Sequence, residues 1–230
     1  ITGASRGIGA ATRTALEGRG ARVIGHGRSD APGLIGEDLS DPASPGRLWA
    51  RAMEALDGRI DVLINNAGIF EAAPVHAEDE VWSSTWARTL QVNLQASADL
   101  CREAIRHFED RGEPGRIVNI ASRAAYRGDS PAHWHYAASK GGMVAMTKSI
   151  ARGFAGQGIL AFAICPGFVM TGDADTYLAS RGGGRLLADI PLGRVADPAE
   201  VASVATFLAL DAPASMTGAV LDVNGASFVR

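Results

Sequence analysis

Cysteine is scarce: Cys101 and Cys165 are the only two in 230 residues. That excludes a disulfide framework, and their separation shows neither metal nor redox spacing. Read as small buried apolar residues, they point to a reducing, cytoplasmic setting. No apolar run approaches the roughly 20 residues of a membrane-spanning helix, so no membrane partner is expected. No long basic run occurs and the formal charge is −3, which argues against nucleic acid. Internal repeats, low-complexity tracts and linkers are also missing. An initiating methionine is absent too: Ile1 stands directly before a glycine-rich turn, and the upstream part of a first strand is expected to be missing from this sequence. What is present is apolar, at 47% hydrophobic residues, enough for one globular domain over residues 1–230 with a substantial core.

Short apolar runs at residues 22–25, 61–65, 116–121, 159–165 and 219–223 read as strands buried on both faces. They alternate with helix-like segments at residues 7–18, 78–108 and 135–154. The pattern predicts an α/β fold, a doubly wound parallel sheet in three α/β/α layers. Residues 173–190, with Gly182, Gly183 and Gly184, read as a flexible segment placed to act as a substrate lid.

Thr2-Gly3-Ala4-Ser5-Arg6-Gly7-Ile8-Gly9 lies between a strand end and a helix start. Glycines there permit a tight turn and bring a pyrophosphate close to backbone N–H groups. No Lys-Ser/Thr follows, so the turn is not a P-loop. Asp38-Leu39 and Asn65-Asn66-Ala67-Gly68 follow later strands, where an open α/β sheet lines its ligand crevice. In isolation these also suit an N-cap and an ordinary turn.

Tyr136 and Lys140 stand four residues apart on a helix, so phenol and ammonium share a face. A phenol titrating near pH 10 is a poor acid or base at neutral pH, and a fixed cation beside it corrects that. The same spacing arises by chance on many solvated helices; the neighbouring motifs give it weight here.

In this order the motifs resemble the short-chain dehydrogenase/reductase family across essentially the whole chain, adding Asn93, Ser122, Pro166-Gly167 with Thr171, Thr217-Gly218 and Val223-Asn224-Gly225. The resemblance implies a Rossmann fold and hydride transfer between a nicotinamide cofactor and a small-molecule carbonyl or secondary alcohol. It implies Tyr136 as acid/base, Ser122 as the group that steadies the reacting oxygen, Lys140 as ribose ligand and pKa modulator, and Asn93 as holder of a proton-relay water. The implied cofactor cradle takes Gly3, Ser5, Arg6, Gly7, Ile8 and Gly9 from the first turn. Arg28, Asp38, Leu39, Asn65, Ala67 and Gly68 come from the middle strands, then Pro166, Gly167, Val169 and Thr171. No metal is implied.

NAD-preferring relatives usually place an aspartate where Gly27 stands, and Arg28 beside Arg6 suits a 2′-phosphate, so NADP is expected over NAD. The alternative has Asp30 serving the ribose. Phe70, Arg123, Trp134, Phe168 and Tyr177 are expected to line the substrate pocket. The 3-oxoacyl-acyl-carrier-protein reductase branch is most similar around residues 2–25 and 166–171, although the Ser130-Pro131-Ala132-His133-Trp134-His135 run departs from it. A catalytically silent nucleotide sensor is the competing class, and the intact Ser–Tyr–Lys set speaks against it. Small residues on the second long helix suit contact between copies, so a homotetramer or homodimer is expected.

Overall fold

The computed structural model of the chain describes residues 1–170 and 183–230. Helix α1 (Gly7–Glu17) precedes β1 (Gly25–Gly27), β2 (Leu34–Gly36), α2 (Ser44–Ala55) and β3 (Val62–Asn65). Then come α3 (Asp79–Leu90), a π-helical turn (Gln91–Gln95), α4 (Ala96–Arg111), β4 (Gly115–Ile120) and α5 (Ala124–Arg127). Helix α6 (Trp134–Phe154), β5 (Ile159–Pro166), α7 (Gly184–Ala188), α8 (Pro198–Leu210) and β6 (Val220–Val223) complete the order.

All strand pairs are parallel. β1 pairs with β2, and β3-β4-β5-β6 form a second sheet in chain order. The first residues stitch the two together. Ile1 donates its amine to the Ile24 carbonyl and accepts from the His26 N–H at 2.9 Å, while Thr2 donates to the Ile64 carbonyl at 3.0 Å.

Successive strand side chains point to opposite faces, which separates two cores. Ile117 and Ala161 face Leu48 of α2, Leu100 and Phe108 of α4 and Ile150 of α6. Val118, Phe162 and Ile164 face Leu16 of α1 and Val201, Ala205 and Leu208 of α8. The result is the expected α/β/α layering with a parallel sheet.

Between the layers runs a chain of buried polar groups. Asn65 Nδ2 donates to Asn119 Oδ1 at 2.9 Å, Asn119 Nδ2 to Thr147 Oγ1 at 2.9 Å, and Thr147 Oγ1 to the Met143 carbonyl at 2.8 Å.

Several expected boundaries move. The strand expected at residues 22–25 forms at Gly25–Gly27, because sheet pairing with β2 and the first residues begins only at its end. The single helix expected over residues 78–108 is broken by the π-helical turn, which widens to seat Asn93. Helices α2 and α8 were not anticipated, although α8 carries a full capping box between Asp197 and Glu200. Of the lid expected at residues 173–190, the first ten positions lie outside the described residues. Residues after them form α7, whose Leu186 packs with Ile190, Val195 and Phe168.

Candidate active site

The glycine-rich turn is built by close approach. Gly3 and Gly7 have φ of +64° and +56°, backbone that side chains resist. A Cβ on Gly9 would collide with the Gly3 carbonyl oxygen and sit 2.6 Å from Asn66 Nδ2. Asn66 clasps the turn: its Nδ2 donates to the carbonyls of Thr2 and Gly3 at 2.9 and 3.0 Å, and its N–H donates to Thr2 Oγ1 at 2.9 Å. The Ala67 N–H reaches the same hydroxyl at 3.0 Å. Helix α1 then starts with an extended Arg6 at its N-cap, no side-chain cap and no acidic residue in its first turn. Its leading N–H groups and positive dipole end are available to an anion, so these residues fit the pyrophosphate of a dinucleotide.

The side expected to face the adenosine is more mixed. Arg28 and Ser5 are exposed at the ends of β1 and the turn. Asp30 is committed elsewhere: its Oδ1 accepts from the Gly36 N–H at 2.8 Å and from Arg51 at 2.6 Å, which together hold its carboxyl below the usual range. Asp38 is held low by the N–H and hydroxyl of Ser40, at 3.0 and 2.8 Å, and Leu39 beside it is buried. Asn65 points away from the crevice into the buried polar chain, with its Nδ2 also 3.3 Å from Cys101 Sγ.

On α6, Lys140 is 3% exposed, and its Nζ donates to the Ile120 carbonyl at the end of β4 at 2.9 Å. Burial pulls its pKa from 10.5 to about 8. That Nζ is 6.0 Å from the centroid of the Tyr136 ring. Gly68 brings Asn93 and Lys140 together: a Cβ there would lie 3.4 Å from Asn93 Oδ1 and 3.6 Å from Lys140 Nζ. Asn93, wholly buried in the π-helical turn, accepts from the Ile69 N–H at 2.8 Å and donates to the Ile69 carbonyl at 3.0 Å. Its Nδ2 also reaches Ser139 Oγ at 3.3 Å, and that hydroxyl donates to the Tyr136 carbonyl at 2.7 Å.

Ser122, just beyond β4, accepts the Ala124 N–H on its Oγ at 3.1 Å. The next residue ties the strand ends together, the Arg123 N–H donating to the Pro166 carbonyl at 3.0 Å. Gly167 lets β5 pass β6, because a Cβ would meet Asn224 Cα at 2.9 Å. Val169 is buried and bridges to Ala196. Burial pushes the Cys165 thiol up to about 11 and that of Cys101 to about 12, leaving both as neutral thiols.

An aromatic wall flanks the phenol. Phe70 meets Tyr136 edge-on at 4.8 Å and stacks on His133 at 3.9 Å. Half-exposed Trp134 sits edge-on to Trp82 at 5.6 Å. Arg123 lies over the Phe168 ring at 4.5 Å and 3.4 Å from Asp189 Oδ2, an oxygen that Arg127 holds at 2.7 Å. Burial and Arg127 pull Arg123 below its ordinary pKa. Thr171 and Tyr177 lie outside the described residues, among which no cluster of His, Cys, Asp or Glu is arranged to hold a metal.

Sequence reasoning took in Asn66 only as part of its four-residue turn and His26 only within the run at residues 25–29, and it passed over Ser139. Asn66 was legible as half of a doublet, and Ser139 as the residue before Lys140. His26 had no signal beyond being a polar residue inside a strand; its Nδ1 accepts from the Gly3 N–H at 3.1 Å.

A family model described as enoyl-(acyl carrier protein) reductase matches residues 3–226. The chain is 34% identical to the 3-oxoacyl-[acyl-carrier-protein] reductase FabG of Vibrio cholerae, over 100% of this chain and 96% of that protein. It is 35% identical to a cis-4-hydroxycyclohexanecarboxylate dehydrogenase of Sinomonas cyclohexanicum, over 98% and 94%. An L-rhamnose 1-dehydrogenase (NAD(P)(+)) of Azotobacter vinelandii is 33% identical over 100% and 96%.

Proposed function

Since the chain belongs to the short-chain dehydrogenase/reductase family and is an oxidoreductase of CH–OH and C=O groups, we propose that Tyr136 is its proton donor and acceptor. Ser122, Lys140 and Asn93 complete the site. A bound nicotinamide dinucleotide supplies or accepts the hydride. As a carbonyl oxygen gains charge, the phenol gives it a proton and the Ser122 hydroxyl steadies it. Lys140 favours the phenolate by its charge and binds the ribose. Asn93 carries the water through which Lys140 exchanges protons with solvent.

One observation carries this reading: an ammonium almost withdrawn from water, one helical turn from a phenol and beside a buried carboxamide. A silent nucleotide sensor has no use for a charge held at that expense.

NADP(H) is the preferred cofactor. No carboxylate stands at Gly27, Asp30 is occupied by Arg51, and Arg28 and Arg6 are exposed at the crevice. The relatives are named for an acyl-carrier thioester, a hydroxycyclohexanecarboxylate and a sugar at nearly equal identity. They therefore leave the substrate class at small-molecule carbonyls or secondary alcohols, with a 3-oxoacyl-carrier thioester as one member. Residues 1–230 act as one cofactor-binding and catalytic domain in the cytoplasm, assembled as a homodimer or homotetramer.

The test is a panel of ketones, 3-oxoacyl thioesters and secondary alcohols, followed by cofactor absorbance with NADPH and NADH in parallel. Tyr136→Phe is expected to lower kcat by roughly 10²–10⁴-fold with folding intact. Turnover kept within about tenfold would overturn the acid/base role, and higher kcat/KM with NADH would overturn the cofactor preference.

A further inference from the structure

His26 is 5% exposed on β1, between Gly25 and Gly27, and the proposed chemistry makes no use of it. Its ring spans two segments that bear different parts of the cofactor crevice. Nδ1 accepts the Gly3 N–H at 3.1 Å, and Nε2 lies 2.9 Å from the Glu37 carbonyl oxygen. A carbonyl only accepts, so the hydrogen is on Nε2 and Nδ1 presents a lone pair. The backbone of the same residue adds a second hold, its carbonyl accepting from the Ala4 N–H at 2.7 Å. Gly3 is the residue whose carbonyl crowds Gly9 and whose φ is +64°, so its orientation sets the shape of the turn.

We propose that His26 is a positioning residue for dinucleotide binding: its neutral imidazole ties the phosphate turn at Gly3 to the strand end at Glu37, and protonation releases the turn and weakens cofactor affinity. The proposal rests on the reading of the crevice as a dinucleotide site. A proton on Nδ1 would set donor against donor at Gly3, and no acceptor is then left for that N–H.

The charges around the ring oppose one another. Burial disfavours the imidazolium most; the Glu37 carbonyl, the Glu37 carboxylate and Asp38 favour it. Glu37 is already bound by Arg47 at 2.9 Å and Arg51 at 3.4 Å, and Asp38 by Ser40. The ring is therefore pulled below its ordinary pKa and is neutral at pH 7.

Calorimetric titration with NADP⁺ and with NAD⁺, from about pH 7.5 to about pH 5, tests this on the wild type, His26→Asn and His26→Leu. Asparagine offers an acceptor where Nδ1 stands and takes no proton. The wild-type Kd is expected to rise more steeply on acidification than that of His26→Asn, which binds within about threefold of wild type at neutral pH. His26→Leu is expected to weaken binding about tenfold or more throughout. Titration of the NADP⁺ 2′-phosphate is common to wild type and Asn variant, and NAD⁺ lacks it. A parallel acid response in wild type and His26→Asn overturns the proposal, and so does wild-type affinity in a folded His26→Leu. Should the Leu variant not fold, the Asn comparison alone decides. Failure of both dinucleotides to bind the wild type at any pH overturns the crevice reading along with it.

Discussion

At Lys140 the ammonium rests on the Ile120 carbonyl with almost no solvent, and burial lowers its pKa to about 8. The unfolded chain keeps that proton up to about pH 10.4, so stability rises with pH from about 8 to 10.4 and the charge costs the native state roughly 3 kcal/mol at pH 7. Lys140→Met removes the charge but strands the carbonyl, worth about 1–2 kcal/mol against it. The melting temperature of the cofactor-free protein is therefore expected to rise by about 2–6 °C, while turnover falls to background. A lowered melting temperature would show that the lysine stabilises the fold instead of serving the chemistry alone. The same scale shows where sequence reading stops. Of the Asn65-Asn66 doublet, Asn65 is the member expected in the cofactor cradle, yet Asn65 turns into the core and Asn66 clasps the glycine-rich turn. Neighbours at a strand end face opposite sides. Which of them meets the crevice depends on where the strand sits in the sheet, and no residue identity states that.

Among the elements, α1 and its entry turn were legible almost to the residue, because the glycine spacing and the place of the turn between a strand end and a helix start agree. Gly9→Ala tests that agreement. Its methyl group meets the backbone at Gly3 and Ala4 as well as the Asn66 carboxamide, so the turn must open. A loss of about 1–3 kcal/mol is expected in urea unfolding, together with at least about tenfold weaker dinucleotide binding. Unchanged binding would mean that the turn does not hold the phosphates. The long helix was read less well. Its apolar spacing runs through residues 78–108 with little sign of a break, and the π-helical turn answers to Ile69 and Ser139, partners distant in sequence. β1 fell two or three positions late for a similar reason, since hydrogen bonding to Ile1, Ala4 and β2, not apolar content, decides where it starts.

For the molecule as a whole, the alternation of apolar runs with helices was sufficient for the layered parallel sheet, while the aromatic wall of Phe70, His133, Trp134 and Trp82 required three separate segments to meet. Assembly belongs to this scale too. Helix α6 leaves Ala138, Ala145 and Ser149 exposed along its outer side, and light scattering is expected to give a dimer or tetramer mass at micromolar concentration; a monomer would remove that proposal. The Asn65–Asn119 hydrogen bond has a consequence for how the strands align. These two residues are direct partners across β3 and β4, in strands otherwise rich in valine, leucine and isoleucine. A slip of one position would part the two carboxamides, set Asn65 against Val118 or Ile120 and bury unmatched polar groups, at about 1–3 kcal/mol apiece. Misaligned sheets are thus selected against by a single pair of amides. The correct alignment sets the residues that follow, Asn66 and Ile120, side by side at the same edge, and Ile120 is the carbonyl on which Lys140 rests, so the accuracy of the crevice is set in the dry interior behind it.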